Sequence, residues 1–101
     1  MRKLSLLLAA MALIAVFAVP AFGASRTVKL GDNFFSPKTL TVKKGTKLVF
    51  KWTGHAPHNV TGAGLKSGTK TSGRFTARAR KSGTIVCTIH PGMQMKLKVR
   101  R

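Results

Sequence analysis

The sequence predicts an all-β fold, a small sandwich or barrel, for the part of the chain that follows residue 23. Apolar and polar residues alternate there with a period of two over several short segments, which is typical of half-buried strands. Turn-forming residues recur between these segments at short intervals, and no segment has the periodicity of an amphipathic helix. The 101 residues of the chain are enough for one domain at most.

Residues 1–23 are predicted to form a secretory signal helix that precedes this domain. A positive head is followed by the apolar run Leu4–Val19 and then by a proline and small residues. The run is shorter than the roughly 20 residues of a typical membrane-spanning helix. We expect cleavage after Gly23 or Ala24, and an uncleaved N-terminal anchor is the alternative. The expected product, residues 24–101, is exported to the periplasm, the extracellular space or the cell envelope and does not span a membrane.

The first half of the domain contains three predicted strands. Residues 27–30 alternate and are followed by a Gly-Asp-Asn turn at 31–33. Residues 39–42 alternate again, and Gly45 ends that run. Residues 46–52 place a leucine, a phenylalanine and a tryptophan on one face and lysines on the other, as expected for a strand on the core.

The second half is more irregular. Residues 54–64 are rich in loop-forming residues, and residues 65–73 are predicted to be an exposed loop of Gly, Ser, Thr and Lys. Strands are predicted at 75–78, 84–88 and 96–100. The predicted core consists of Val28, Leu40, Val42, Leu48, Phe50, Trp52, Phe75, Ile85, Ile89, Leu97 and Val99.

The charge of the chain is extreme, with 19 Lys and Arg, one acidic residue, Asp32, and a net charge of +18. Such a field attracts polyanions. The bases are spread along the chain, the chain has an export signal, and no nucleic-acid motif occurs, so we expect no specific nucleic-acid partner. We expect a monomer that meets an acidic partner protein or an anionic envelope surface. We expect no enzyme, because one carboxylate cannot form an acid–base pair.

The one cysteine and the three histidines all fall in two windows, "HAPHNV" at 55–60 and "CTIHPGM" at 87–93. A single cysteine excludes a disulfide within the chain, whereas a bound metal would stabilise so small a domain. Two imidazoles, a thiolate and a thioether are the ligand set of a mononuclear blue-copper site. The residues that provide this set are His58, Cys87, His90 and Met93. Zinc would also bind the thiolate and imidazoles but has no need of the methionine.

The segments "PHNV", "CTIHPGM" and "NFFSPKTLTVKKGTKLVFKW" resemble the cupredoxins of the plastocyanin and amicyanin branch. The resemblance covers nearly all of residues 24–101 and implies a Greek-key sandwich with one type 1 copper. It implies that the copper ligands are His58, Cys87, His90 and Met93. It also implies that Asn59 braces the cysteine loop opposite Thr88, and that His90, near Pro57 and Pro91, is the exit for the electron.

The sequence departs from the family pattern at a few places. Met95 is a second methionine in the loop, but the register of the following strand favours Met93 as the ligand. Residues 61–82 are compressed, so strands there are expected to be missing or irregular. Val86 precedes the cysteine, where the family often has tyrosine. His55 is expected to be a solvated loop residue.

Three functions are compatible with these residues. The first is a one-electron carrier that uses Cu(II) and Cu(I). The second is an envelope module that binds or delivers copper without shuttling electrons. The third is an adhesive basic β-domain in which the cysteine has no special role.

Overall fold

The computed structural model describes residues 24–101, and the predicted signal helix lies outside these residues. The described chain forms nine β-strands separated by short turns and loops. In chain order they are β1 Ser25–Gly31, β2 Phe34–Ser36, β3 Thr39–Lys43, β4 Lys47–Trp52, β5 Thr61–Gly62, β6 Leu65–Lys66, β7 Arg74–Arg78, β8 Gly83–Val86 and β9 Gln94–Arg100.

The strands form two sheets that pack face to face, so the predicted all-β sandwich is confirmed. One sheet has the order β2-β1-β4-β7 and the other the order β3-β9-β8-β5-β6. Two of the strand pairs, β1 with β4 and β3 with β9, are parallel, and the rest are antiparallel. Among residues 24–101 no helix has the length and apolar character needed to cross a bilayer.

The core lies between the sheets and follows the alternation in the sequence. Burial along β4 alternates, with Leu48, Phe50 and Trp52 buried, and β9 buries Met95 and Leu97 in the same way. The buried apolar residues are Val28, Leu30, Phe35, Leu40, Val42, Leu48, Phe50, Trp52, Val60, Ala79, Ile85, Cys87, Met93, Met95 and Leu97. Residues 24–101 therefore enclose a hydrophobic core from their own side chains.

Three of the predictions need correction. Ile89 was predicted to be in the core but is 47% exposed, because β8 ends before it and the chain turns there. For the same reason the strand predicted to run to residue 88 ends at Val86. The loop predicted at 65–73 begins with β6, which pairs with β5. Each of these two strands has only two residues, as expected for a compressed middle.

The sandwich has two distinct ends, which we call the upper and lower ends. The upper end is formed where β4 and β8 finish and β9 begins, since Leu30 pairs with Trp52 and Val86 with Gln94. The lower end contains the turn from β3 to β4, the segment 79–82 and the end of β9. Backbone hydrogen bonds join these parts, from Gly45 N to Ala79 O at 2.7 Å and from Lys44 N to Arg100 O at 2.7 Å.

Candidate metal centre

Three donor atoms from distant parts of the chain converge at the upper end. His58 Nδ1 lies 3.2 Å from His90 Nδ1, Cys87 Sγ lies 3.4 Å from His90 Nδ1, and Cys87 Sγ lies 3.9 Å from His58 Nδ1. His58 and Cys87 are buried, and His90 is partly buried. These are the residues that the two sequence windows predicted would meet.

The triangle formed by these atoms has the size of a metal site. A point in its plane equidistant from all three atoms is about 2 Å from each, close to the distance of a transition metal from an imidazole nitrogen or a thiolate. Two imidazole nitrogens this close repel one another through their lone pairs unless a proton or a cation lies between them. One metal ion at that point would accept all three lone pairs, so the donors fit a trigonal metal site.

His58 is held in place from three directions. Its Nε2 lies 3.0 Å from Asp32 Oδ1, its carbonyl oxygen accepts a hydrogen bond of 3.0 Å from Trp52 Nε1, and its backbone pairs with Lys70. The Nε2–H group donates a hydrogen bond to the carboxylate. The neutral ring is therefore in the tautomer whose Nδ1 lone pair is free. Nδ1 is the atom that faces Cys87 and His90, so Asp32 directs the imidazole toward the centre of the triangle.

Asp32 is a functional residue that the sequence did not reveal. Its carboxylate also accepts hydrogen bonds from the backbone N–H groups of Ala56, at 2.9 Å, and His55, at 3.0 Å. These contacts, the Ala56 donor first and then the His58 ring, lower the pKa of Asp32 from 3.8 to about 2. A side chain at Gly54 would collide with Asp32, because its Cβ would lie 2.2 Å from Oδ1.

Asp32 lies in the turn between β1 and β2, 26 residues before His58. The turn composition alone explains an aspartate there. The one indication in the sequence that Asp32 has a special role is that it is the only carboxylate side chain in a chain with 19 basic residues.

The loop from Cys87 to Met93 is closed by backbone hydrogen bonds. Cys87 N donates to Met93 O at 3.0 Å, Met93 N donates to His90 O at 3.1 Å, and His90 N to Cys87 O is 3.4 Å. Met93 is therefore directly opposite Cys87, continuing the register in which Val86 faces Gln94. Both methionines are buried, but Met95 faces Ile85, one step deeper in the core. This register places Met93, rather than Met95, beside the cysteine.

Asn59 connects the two windows, as the resemblance implied. Its Nδ2 donates to Thr88 Oγ1 at 2.8 Å, and its Oδ1 accepts from Thr88 N at 3.2 Å. The same amide also contacts Thr61 and Thr69. The residue that follows His58 is thus bonded to the residue that follows Cys87, which fixes the spacing between the two loops.

Several residues of the two loops around the site are exposed to solvent. His90 is partly exposed, and Pro57, Ile89 and Pro91 around the two loops are exposed. His55 is also exposed, and its ring is not among the converging donors. His55 contributes to the site through its backbone N–H, which donates a hydrogen bond to Asp32.

No protein-family model and no curated protein sequence matches this chain. Solved structures do match its fold. A purple cupredoxin from Nitrosopumilus maritimus has 19% identity and a TM-score of 0.64, over 74% of this chain and 99% of that chain. An oxidised plastocyanin from Dryopteris crassirhizoma has 23% identity and a TM-score of 0.64, over 73% and 99%. An oxidised amicyanin mutant has 26% identity and a TM-score of 0.65, over 82% and 88%.

The protein is a β-sandwich with a cysteine sulfur and two imidazole nitrogens converging at one end of its strands. Its fold is that of the cupredoxins, and the resemblance predicted from the sequence is confirmed. The donor set, with Met93 in register with the cysteine, fits the single copper ion that the sequence predicts.

We predict that Asp32→Asn lowers the affinity for Cu(I) about 10- to 100-fold, the usual cost of removing a carboxylate that orients a metal-bound histidine. Asparagine keeps the size of the side chain but loses the charge that fixes the His58 tautomer. The measurement is a competition titration with a Cu(I) chelator. His55→Ala is the matched control, because it keeps the backbone N–H that contacts Asp32. An unchanged affinity in Asp32→Asn would refute the orienting role.

We also predict that the metal-free protein loses stability in acid as Asp32 takes up a proton. The folded pKa, about 2, is below the reference value of 3.8, so the unfolded chain binds this proton more readily. The stabilisation is therefore complete above pH 3.8 and disappears as the pH falls toward 2. Thermal unfolding measured across this range should show a drop that is absent in Asp32→Asn. Parallel curves for the two proteins would contradict the prediction.

Proposed function

We propose that this chain is an exported type 1 copper protein that carries single electrons between redox partners. The observation that supports the proposal best is the convergence of Cys87 Sγ and the Nδ1 atoms of His58 and His90, with Met93 directly opposite the cysteine. A thiolate and two imidazoles in a trigonal array with a weak axial thioether are the ligands of electron-transfer copper sites.

Copper in this site would supply a one-electron couple, and the chain would supply a fixed geometry for both oxidation states. His58 is fixed by Asp32 and Trp52, and Asn59 holds the cysteine loop through Thr88. None of these hydrogen bonds uses the converging Nδ1 and Sγ atoms, so the same contacts would hold the ligands in both oxidation states and little rearrangement is needed when an electron arrives or leaves. A site that barely moves suits electron transfer, because reorganisation does not slow the reaction.

The proposed route for the electron is through His90. Its ring is the only one of the two converging imidazoles that reaches the surface, since His58 is fully buried. The exposed side chains of Ile89, Pro57 and Pro91 give this end an apolar rim. A partner that covers the rim would exclude water and bring its own redox centre close to the His90 ring.

The alternative of copper delivery receives less support from the same contacts. A delivery site releases its metal readily, which favours exposed and mobile ligands. Here His58 and Cys87 are buried, and two further side chains brace them. The function of an adhesive domain with an incidental cysteine would not require two imidazoles to lie beside the cysteine sulfur.

We propose that no substrate is transformed at this site. Asp32 is the only carboxylate side chain in the chain, and it is engaged by His58 and two backbone donors. A copper-containing nitrite reductase from Thermus scotoductus does share the fold, with 20% identity and a TM-score of 0.64. This chain covers only 22% of that enzyme's chain, so the likeness reaches a small part of it.

Export remains part of the proposal on sequence grounds. The apolar run Leu4–Val19 and the small residues before Ala24 support a signal segment. A copper-bound thiolate would also explain how one cysteine persists in an oxidising compartment without a disulfide partner. The expected location is the periplasm or the outer side of the cell envelope.

Copper loading of residues 24–101 tests the proposal. We expect an intense thiolate-to-copper absorption band near roughly 600 nm in the oxidised protein and a type 1 paramagnetic-resonance spectrum. Cys87→Ser should abolish the band while the circular dichroism of the β-sandwich persists. Without such a band in the unaltered protein, the electron-carrier proposal fails.

The axial ligand can be assigned by comparing Met93→Leu with Met95→Leu. Leucine replaces either methionine with little change in volume, so each substitution should cost less than about 1.5 kcal/mol of stability. If Met93 is the axial ligand, Met93→Leu raises the reduction potential, because Cu(II) loses a weak donor. Met95→Leu should leave the potential unchanged. The measurement is protein-film voltammetry, and the reverse result would assign Met95.

A further inference from the structure

Just over half of the basic residues among residues 24–101 lie at the end of the sandwich away from the metal centre. Residues 24–101 contain seventeen Lys and Arg, the nineteen of the chain less Arg2 and Lys3. Nine of them lie at the lower end, and all nine are exposed. We call this group the basic end; it consists of Arg26, Lys43, Lys44, Lys47, Arg78, Arg80, Lys81, Arg100 and Arg101.

No acidic side chain offsets these cations. The single carboxylate, Asp32, is at the upper end and is already bonded to His58. Within the basic end, like charges lie directly opposite each other on neighbouring strands. Lys47 is paired with Arg78, and Lys43 is paired with Arg100. Facing like charges destabilise a sheet. The basic end thus has a stability cost that binding of an anionic surface would relieve.

The path of the chain adds a second, independent observation. The carbonyl oxygen of Ala24 accepts a hydrogen bond from Lys47 N at 3.3 Å, so the domain begins at the lower end. The segment that precedes Ala24 in the sequence contains the apolar run Leu4–Val19. The apolar run is therefore connected to the domain, through residues 20–23, at the end that carries the basic residues.

The surface chemistry favours lipid head groups over a protein partner. Protein interfaces have an apolar centre within a polar rim. The two large exposed hydrophobic residues among those described, Phe34 and Ile89, are both at the upper end. A depression beside the basic end is lined by Leu65 and Phe75 together with Arg78, but both apolar side chains are partly buried against the core. The exposed surface is formed by long, flexible cations, which suits a layer of phosphate groups rather than a shaped protein surface.

We propose that the basic end binds the surface of an anionic phospholipid bilayer and that the metal end consequently points away from the membrane. The binding itself does not depend on copper. Under the proposed function, this orientation leaves His90 free to meet a soluble partner while the protein is held at the membrane. Before cleavage of the signal segment, the apolar run and the basic end together would give firmer attachment than either gives alone.

Vesicle binding by residues 24–101 tests this proposal. We expect sedimentation with vesicles that contain phosphatidylglycerol, no sedimentation with pure phosphatidylcholine, and loss of binding as salt screens the charges. Each cation close to an anionic surface contributes about fivefold to partitioning.

Two matched variants locate the binding surface. One carries Lys43→Gln, Lys44→Gln, Lys81→Gln and Arg100→Gln at the basic end. The other carries Lys29→Gln, Lys51→Gln, Lys96→Gln and Arg74→Gln elsewhere, with the same loss of charge. The first should lose roughly a hundredfold or more in partitioning and the second less than about tenfold. Equal losses would mean that only the overall charge matters and would overturn the proposal.

The orientation is measured with tryptophans introduced by Ser25→Trp at the basic end or by Ile89→Trp at the metal end, and the signal of the native Trp52 is subtracted with the unaltered protein as reference. Brominated phosphatidylglycerol should quench the fluorescence of the first and leave the second unquenched. Quenching of the second alone would overturn the proposal. So would binding to polyglutamate, a stand-in for an acidic protein, without binding to anionic vesicles.

Discussion

The arrangement of the metal centre depends on one contact, the hydrogen bond between Asp32 and the ring of His58. The carboxylate is 43% exposed, yet its charge is held by three N–H donors, one from the ring and two from the loop before it. It therefore fixes both the position of the loop and the tautomer of the ring. With a neutral residue at position 32, the His58 ring could donate from either nitrogen, and the direction of its Nδ1 lone pair would no longer be determined.

The remaining donors are positioned by strand pairing, together with the contact of Asn59 with Thr88. β8 and β9 continue their register into the loop, so that Cys87 and Met93 face each other across a backbone hydrogen bond. β8 and β9 are inner strands of their sheet, and a slip of one residue would turn every side chain of a strand to the opposite face, so their register is firmly fixed. The metal centre is thus assembled at the end of the sandwich where β4 of one sheet and β8 of the other finish and β9 begins.

Much of this could be predicted from the sequence, and the failures have identifiable causes. Alternation predicted β4 and β9 because half-buried strands leave a period of two in the sequence. The two windows predicted that His58, Cys87 and His90 would meet. Ile89 was misplaced because an apolar residue beside a cysteine looks like the continuation of a strand, whereas the chain turns after Val86.

Asp32 could not be predicted for a different reason. Its partner is 26 residues away, and the contact exists only because β1 and β4 run parallel, which carries the turn after β1 to the end of β4. Parallel neighbours leave no short-range pattern in the sequence, since their connection is long. The same sheet separates the charges, with the one carboxylate at the metal end and nine cations at the other. Salt therefore screens the exposed basic end far more than the buried His58 and Cys87 donors of the metal centre. Under the two proposals, attachment and electron transfer could accordingly be adjusted independently.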